Sequence, residues 1–113
     1  MSLDTSFGDN GKIISGDLLS NYTEAQSIKL YDDKIIIAGY YTSDPNTFVF
    51  IARYNLDGTS DTTFGSDGFV LTNYYANTSS YSKIMFIQSD GTIVIVGGSV
   101  NFIFAYYTNN GIF

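Results

Sequence analysis

Residues 61–68 have the sequence DTTFGSDG and repeat residues 4–11, which have the sequence DTSFGDNG. Five of these eight positions are identical, and Phe64 follows Phe7 by 57 positions (64 − 7). Two further blocks recur in the same order, since residues 32–39 match residues 90–97 and residues 50–58 match residues 103–111. Such a period is typical of folds that stack one structural unit. The sequence therefore predicts one unit, residues 1–113, made of two repeats at about 4–60 and 61–113.

Each repeat contains four apolar runs of strand length. The runs are Lys12–Ser15, Gln26–Tyr31, Lys34–Tyr41 and Thr47–Tyr54 in the first repeat, and Phe69–Thr72, Lys83–Gln88, Thr92–Gly98 and Asn101–Tyr107 in the second. They are rich in Ile, Val, Phe and Tyr, which suit a packed pleated sheet, and none has a sustained helical period. The turn pair Asp90-Gly91 predicts a hairpin, and Asp32-Asp33 occupies the same place in the first repeat. We therefore expect an all-β chain with almost no helix.

The central run of each repeat is apolar at successive positions, as in Ile35–Ala38 and Ile93–Val96. A strand without alternation is buried on both faces of its sheet, so the sheets must stack on one another. Four strands per repeat with both faces covered predict two four-stranded antiparallel β-propeller blades per chain. A β-sandwich is the alternative, although it explains the repeat less well.

Three blocks of the first repeat resemble the delta-60 repeat, a β-propeller-like family. Leu3–Gly11 resembles its Leu-Asp-x-x-Phe-Gly signature, Ile35–Gly39 its hydrophobic strand ending in Gly, and Ala52–Gly58 its Ala-Arg-Tyr strand closed by Asp-Gly. The resemblance covers nearly the whole chain and implies a propeller fold without a known activity. The second repeat departs from it, because Tyr106 stands in place of the Arg, Asn110 in place of the Asp before Gly, and Thr59-Ser60 where Leu is usual.

The composition excludes several functions. A formal net charge of -6, with only five Lys and Arg residues, opposes binding to nucleic acid or to an anionic membrane surface. The chain has no Cys and no His, so it lacks disulfides, thiolate and imidazole metal ligands, and the usual proton shuttle at neutral pH. Neither a signal peptide nor a membrane span is visible in the sequence, so we expect a soluble protein of unassigned compartment.

Two blades are too few to close a propeller, which needs about four to eight. We therefore expect a homo-oligomer with head-to-tail blade packing, in which Met1–Gly8 of one subunit completes the open blade of its neighbour, as a closed ring or an open filament. An excised piece of a longer propeller is the alternative. No pair of carboxylates suited to acid-base chemistry is identifiable, so the expected function is a non-enzymatic structural or protein-interaction module.

Acidic and glycine residues cluster where the repeats meet. Asp57 and Asp61 could offer oxygen ligands to calcium, although Asp, Asn and Gly are also the residues that tight turns demand. No other cofactor is expected. The repeated junction positions are predicted to be structural, as turn residues or as core phenylalanines: Asp4, Phe7, Gly8, Gly11, Asp61, Phe64, Gly65 and Gly68.

Loop aromatics suggest an alternative function, a lectin-like oligomeric propeller that binds carbohydrate. Tyrosine rings with nearby Asn, Ser and Thr can stack on sugars and bind their hydroxyls. The candidate ligand-binding residues are Tyr22, Tyr40, Tyr41, Tyr74, Tyr75 and Tyr81. Propeller lectins built from two-blade chains provide an analogy at the level of the fold only. The chain has no Trp, the ring such sites most often use.

Overall fold

The computed structural model describes residues 2–13, 22–43, 46–73, 80–98 and 102–113. These residues form two antiparallel sheets and no helix. The strands are β1 (Tyr22–Tyr31), β2 (Lys34–Ser43), β3 (Asn46–Asn55), β4 (Phe69–Thr72), β5 (Tyr81–Ile87), β6 (Ile93–Gly98) and β7 (Phe102–Tyr107). The all-β prediction is confirmed. No helix among the described residues is long and apolar enough to cross a membrane.

The first sheet has the strand order β1-β2-β3-β4, and the second has the order β5-β6-β7. The prediction that the four runs of one repeat form one sheet is wrong, because β4 is the first run of the second repeat and pairs with β3 of the first. After β3 ends at Asn55, the junction reverses the chain and returns Phe69 beside Ala52. Of the run Lys12–Ser15, the described residues Lys12 and Ile13 form no strand, and Lys12 makes only isolated bridges to Gly8 and Asp9.

The two sheets share the same internal irregularity. The β1–β2 ladder has a register shift at Ala25/Ser27, and the β5–β6 ladder has one at Ser82/Ile84. Each bulge lies opposite a glycine, and a Cβ on Gly39 or Gly97 would collide with a carbonyl oxygen of the neighbouring strand. Because the same bulge recurs with the same glycine, the two sheets are curved in the same place.

The hairpin predictions hold for the first repeat and need correction in the second. Asp32 and Asp33 form a two-residue turn in which both φ angles are positive, at 51° and 57°. A two-residue turn with positive φ at both positions matches the right-handed twist of the strands that it joins. In the second repeat, β5 ends at Ile87 and β6 begins at Ile93, so Asp90-Gly91 lies within a longer turn closed by Gln88 and Thr92.

The main core lies between the two sheets. Successive residues of a strand point to opposite faces of the sheet. We call the face that carries Ile37, or its counterpart Ile95, the front face of its sheet, and the face that carries Ile36, or its counterpart Val94, the rear face. The rear face of the first sheet packs against the front face of the second, around the junction residue Phe64. Buried members of this core are Ile36, Ala38, Val49, Ile51, Phe64, Met85, Ile93, Ile95, Ala105 and Tyr107. A smaller cluster on the front face of the first sheet contains Phe50, Ala52 and Tyr54.

Candidate functional site

The segment that joins the two sheets, residues 61–68, is called the second junction. Phe64 is fully buried at its centre, and Gly65 donates its N–H to the carbonyl oxygen of Asn110 at 2.9 Å. A Cβ on Gly111 would press on the Phe64 ring at 3.0 Å. The second junction therefore ties the end of the first sheet to the turn that follows β7.

Arg53 connects the parts of this junction. Its Nε donates to Oδ2 of Asp61 at 2.8 Å, and its Nη1 donates to the carbonyl oxygen of Asn109 at 2.6 Å. The guanidinium carbon lies 4.7 Å from the centroid of the Phe64 ring, within the range of a cation–π contact. A buried charge needs a partner and hydrogen bonds, and Arg53 has both. The sequence did not predict this pair, although Arg53 in a strand otherwise buried was a sign that an acid must lie nearby.

Asp61 is held in its ionised form. Its Oδ1 accepts hydrogen bonds from the hydroxyl of Thr63 at 2.6 Å and from the backbone N–H of Thr63 at 3.1 Å. The Thr63 bonds and the Arg53 charge outweigh burial and lower the pKa of Asp61 from 3.8 to about 2. Lys34 Nζ lies 3.4 Å from the same carboxylate. The junction is thus a salt-linked network at neutral pH.

Residues 4–11, called the first junction, have the same internal geometry. Phe7 donates its N–H to the Asp4 carbonyl oxygen at 3.1 Å, as Phe64 does to Asp61 at 3.1 Å. Gly11 donates its N–H to the Phe7 carbonyl oxygen at 2.8 Å, as Gly68 does to the Phe64 carbonyl oxygen at 2.9 Å. Gly8 donates to the Asp57 carbonyl oxygen at 2.7 Å, the counterpart of the bond from Gly65 to Asn110. The first junction therefore meets the first sheet as the second junction meets the second sheet.

The predicted structural glycines lie at the turns of both junctions. Gly8 and Gly65 have φ angles of 56° and 55°, and Gly11 and Gly68 have φ angles of 91° and 97°. This region of φ favours glycine, and at Gly8 and Gly65 a Cβ would also collide with the carbonyl oxygens of Lys12 and Phe69, so glycine is required there.

The two junctions differ in what covers them. Phe64 is buried by Arg53 and the second sheet, whereas its counterpart Phe7 is only half-buried. Asp4 binds the N–H and hydroxyl of Ser6 as Asp61 binds those of Thr63, and these bonds lower the pKa of Asp4. Asp4 is exposed and has no arginine beside it among the described residues. Within the described ranges, the first junction is thus a formed turn that no strand covers in the way that β3 covers the second junction.

The outer faces of the two sheets carry exposed apolar residues, although the front face of the first sheet is buried at Phe50, Ala52 and Tyr54. Ile51 on the rear face of the first sheet is 1% exposed, but Phe104, its counterpart on the rear face of the second, is 61% exposed. Met85 on β5 and Ile28 on β1 are counterparts, because each lies three residues after the bulge residue, Ser82 or Ala25. Met85 is 0% exposed, but Ile28 is 63% exposed. Phe86, Phe102 and Tyr106 are also exposed on the second sheet. Large exposed apolar patches mark interaction surfaces.

The candidate sugar-binding tyrosines do not share one surface. Tyr40 and Tyr81 meet across the two sheets with ring centroids 5.0 Å apart, and Tyr40 donates its hydroxyl to Glu24 at 2.7 Å. Tyr41 follows Tyr40 on β2 and so points to the opposite face, where it packs beside the front-face cluster. Tyr22 begins β1, and its side chain is outside the described residues, as are Tyr74 and Tyr75. The carbohydrate hypothesis stays a prediction, which a glycan array tests.

The two candidate calcium ligands lie in separate turns. Asp57 accepts hydrogen bonds from the N–H and hydroxyl of Thr59, which lower its pKa, and Asp61 is bound to Thr63 and Arg53. Across the described ranges, no three acidic side chains gather around a common point. The arrangement is that of turn carboxylates, and the calcium hypothesis stays a prediction that calorimetry tests.

Comparison with known proteins supports a β-propeller repeat family. The family model described as a domain of unknown function (DUF5122) beta-propeller matches residues 32–64, under a third of the chain. The match runs from the Asp32-Asp33 turn through β2 and β3 to Phe64, so it includes the Arg53–Asp61 pair. No curated protein and no solved structure matches the chain. The chain is thus a β-propeller-like all-β domain, and the family model that matches part of it describes a domain of unknown function.

Proposed function

We propose that the chain is a non-enzymatic, β-propeller-type structural or protein-interaction module that assembles head to tail with further copies, into a ring or a filament. The observation that supports the proposal is the mismatch in exposure between counterpart residues. Ile51 and Met85 are buried where the two sheets of the chain meet, whereas their counterparts Phe104 and Ile28 are exposed on the outer faces.

The contact between the two sheets of one chain, the internal interface, is the template for the contact between copies, the external interface. The rear face of the first sheet fits the front face of the second, and the strand registers of the two sheets correspond, as in Ile36 opposite Arg53 and Val94 opposite Tyr106. The rear face of the second sheet can therefore pack on the front face of the first sheet of another copy. Such a contact joins two different surfaces, so it propagates from copy to copy.

Each large apolar side chain that this contact buries contributes a substantial free energy of association. Burying a side chain the size of Phe or Ile contributes about 1.5–3 kcal/mol, and the external interface would cover several of them. Isolated exposed apolar residues are ordinary, but a cluster on one sheet face, such as Phe86, Phe102, Phe104 and Tyr106, is not. Leaving this cluster and Ile28 in water would make the chain prone to unspecific aggregation, whereas ordered stacking buries them together.

Two variants that each block one face test the proposal. Phe104→Asp places a charge on the rear face of the second sheet, and Ile28→Asp places one on the front face of the first. Sedimentation velocity should show that the wild-type chain assembles with rising concentration and that each variant weakens the assembly by at least about 30-fold. Ser66→Asp adds the same charge at an exposed position of the second junction, where the first junction carries Asp9, and should leave assembly unchanged.

Mixing the two variants separates a head-to-tail contact from a symmetric one. Each variant keeps one intact face, and the intact faces are complementary, so an equimolar mixture should form a one-to-one dimer and nothing larger. A wild-type chain that remains a folded monomer at every concentration, or a mixture that stays monomeric, contradicts the proposal.

A further inference from the structure

We infer that the contact between copies is made at the first junction by Tyr106 of a second copy, which takes the place that Arg53 has at the second junction. This inference rests on the proposed function, and it assigns the residues and the chemistry of the seam. Arg53 contacts the second junction through both its backbone and its side chain. We call that contact within one chain the internal seam, and the corresponding contact between copies the seam.

The backbone of Arg53 joins β3 to the second junction by two hydrogen bonds. Arg53 donates its N–H to the Gly68 carbonyl oxygen at 2.9 Å and accepts the Asp61 N–H at 3.0 Å. The counterparts at the first junction are the Gly11 carbonyl oxygen and the Asp4 N–H. Neither of these groups has a hydrogen-bond partner among the described residues. The first junction therefore presents one acceptor and one donor at the spacing that an incoming strand requires.

The outer edge of β7 supplies the matching groups. Tyr106 lies opposite Val94 as Arg53 lies opposite Ile36, and in an antiparallel ladder this register decides which edge the N–H and C=O face. The backbone of Tyr106 therefore faces away from β6, towards an edge that carries no strand among the described residues. An unpaired edge is a template for pairing with another chain.

The side chains at the seam fit each other less well than at the internal junction. Tyr106 is 57% exposed and would lie over Phe7 and beside Asp4, as Arg53 lies over Phe64 and beside Asp61. Its ring can stack and its hydroxyl can donate to the carboxylate, but it brings no positive charge. The seam between copies is thus a backbone-registered, aromatic contact that lacks the ion pair.

A gain of affinity tests this assignment. Tyr106→Arg would restore the guanidinium opposite Asp4 of the second copy, and a charge-assisted hydrogen bond should tighten the dissociation constant by about 10-fold at low salt. The gain should shrink as salt rises, because the pair is near the surface. Tyr106→Gln, which removes the ring without adding a charge, should weaken assembly.

A double-mutant cycle shows whether the gain depends on Asp4. Asp4→Asn in the wild-type background should change the dissociation constant by less than about 3-fold, but it should remove the whole gain of Tyr106→Arg. All dissociation constants are measured by sedimentation equilibrium on chains with unchanged circular dichroism.

The outcomes separate a failure of the Tyr106 assignment from a failure of the proposed function. If the wild-type chain assembles and Phe104→Asp disrupts it, but Tyr106→Arg brings no gain or a gain that survives Asp4→Asn, the seam assignment is overturned and the proposed function stands. If the wild-type chain does not assemble, both are overturned.

Discussion

Replacing Asp61 by Asn should destabilise the chain in a manner that depends on pH. The carboxylate of Asp61 is paired with Arg53 at 2.8 Å and hydrogen-bonded to Thr63. Its pKa falls from 3.8 to about 2, mainly through the Thr63 hydroxyl bond and then the Thr63 backbone bond and Arg53. At about 1.4 kcal/mol per pKa unit, this shift corresponds to roughly 2 to 3 kcal/mol of folding free energy at neutral pH.

The sign of the pH dependence follows from the lowered pKa. A carboxyl group with a depressed pKa stabilises the folded state fully above its unfolded pKa of 3.8, and this stabilisation is lost as the pH falls towards about 2. The wild-type chain and Asp61→Asn should therefore differ by roughly 2 to 3 kcal/mol at pH 7 and converge near pH 2. Urea unfolding followed by circular dichroism at several pH values measures the difference.

The repeat supplies a matched control for this experiment. Asp4→Asn makes the same change at the counterpart position, where the carboxylate is exposed and no arginine lies beside it among the described residues. It should cost far less than Asp61→Asn. Both variants are compared in the Phe104→Asp background, so that assembly does not contribute to the measured stability. A difference that is equal at pH 7 and pH 3, or equal for the two variants, would refute the reasoning.

Three further substitutions test local features of the sheets, with thermal and urea unfolding as the measurement. The Ser82 hydroxyl is buried without a hydrogen-bond partner among the described residues, and its counterpart is Ala25, so Ser82→Ala should raise the free energy of unfolding by about 1 kcal/mol. No change or a loss would mean that the hydroxyl is satisfied. Asp33→Gly should add about 0.5–1 kcal/mol, because Asp33 has a φ of 57° in a two-residue turn that favours glycine. Gly97→Ala should cost about 2 kcal/mol or more, since its Cβ would meet the Tyr81 carbonyl oxygen at the bulge. A tolerated alanine there would contradict the proposed constraint on the bulge.

The strands were predictable from the sequence because their chemistry is local. Runs such as Ile35–Ala38 and Ile93–Val96 predicted strands buried on both faces, and both lie within central strands of their sheets. The repeat alignment also agrees with the strand registers, since Arg53 and Tyr106 lie opposite counterpart residues. Local propensity and repeat spacing were sufficient for these features.

The partner of β4 was not predictable in the same way. A strand pattern shows that a segment pairs but not with which neighbour, and the run Phe69–Thr72 lies after the repeat boundary. Its pairing with β3 depends on the geometry of the turns between Asn55 and Phe69, including the bonds from Arg53 to Gly68 and from Asp61 to Arg53. These bonds join residues that no propensity scale links.

The candidate sites were predicted less well, for two physical reasons. Arg53 and Asp61 pair across a chain reversal, and the second repeat hides the pair because Tyr106 replaces the arginine. The tyrosines were grouped by composition, although adjacent residues of a strand point to opposite faces, as Tyr40 and Tyr41 do. The two-residue period of a strand is by itself sufficient to place these two tyrosines on different faces.

The likeness of the two junctions also constrains the proposed assembly. Because the first junction reproduces the internal hydrogen bonds of the second, from Asp4 to Gly11 as from Asp61 to Gly68, a second copy docked there should be rotated by about the same angle as the two sheets of one chain. In the proposed assembly each copy of this two-sheet chain would add two blades, so propellers of about four to eight blades would correspond to roughly two to four chains. If Tyr106 changes that angle because it is shaped differently from arginine, the same contact gives a filament, and Tyr106→Arg should then shift the population from filaments to closed rings.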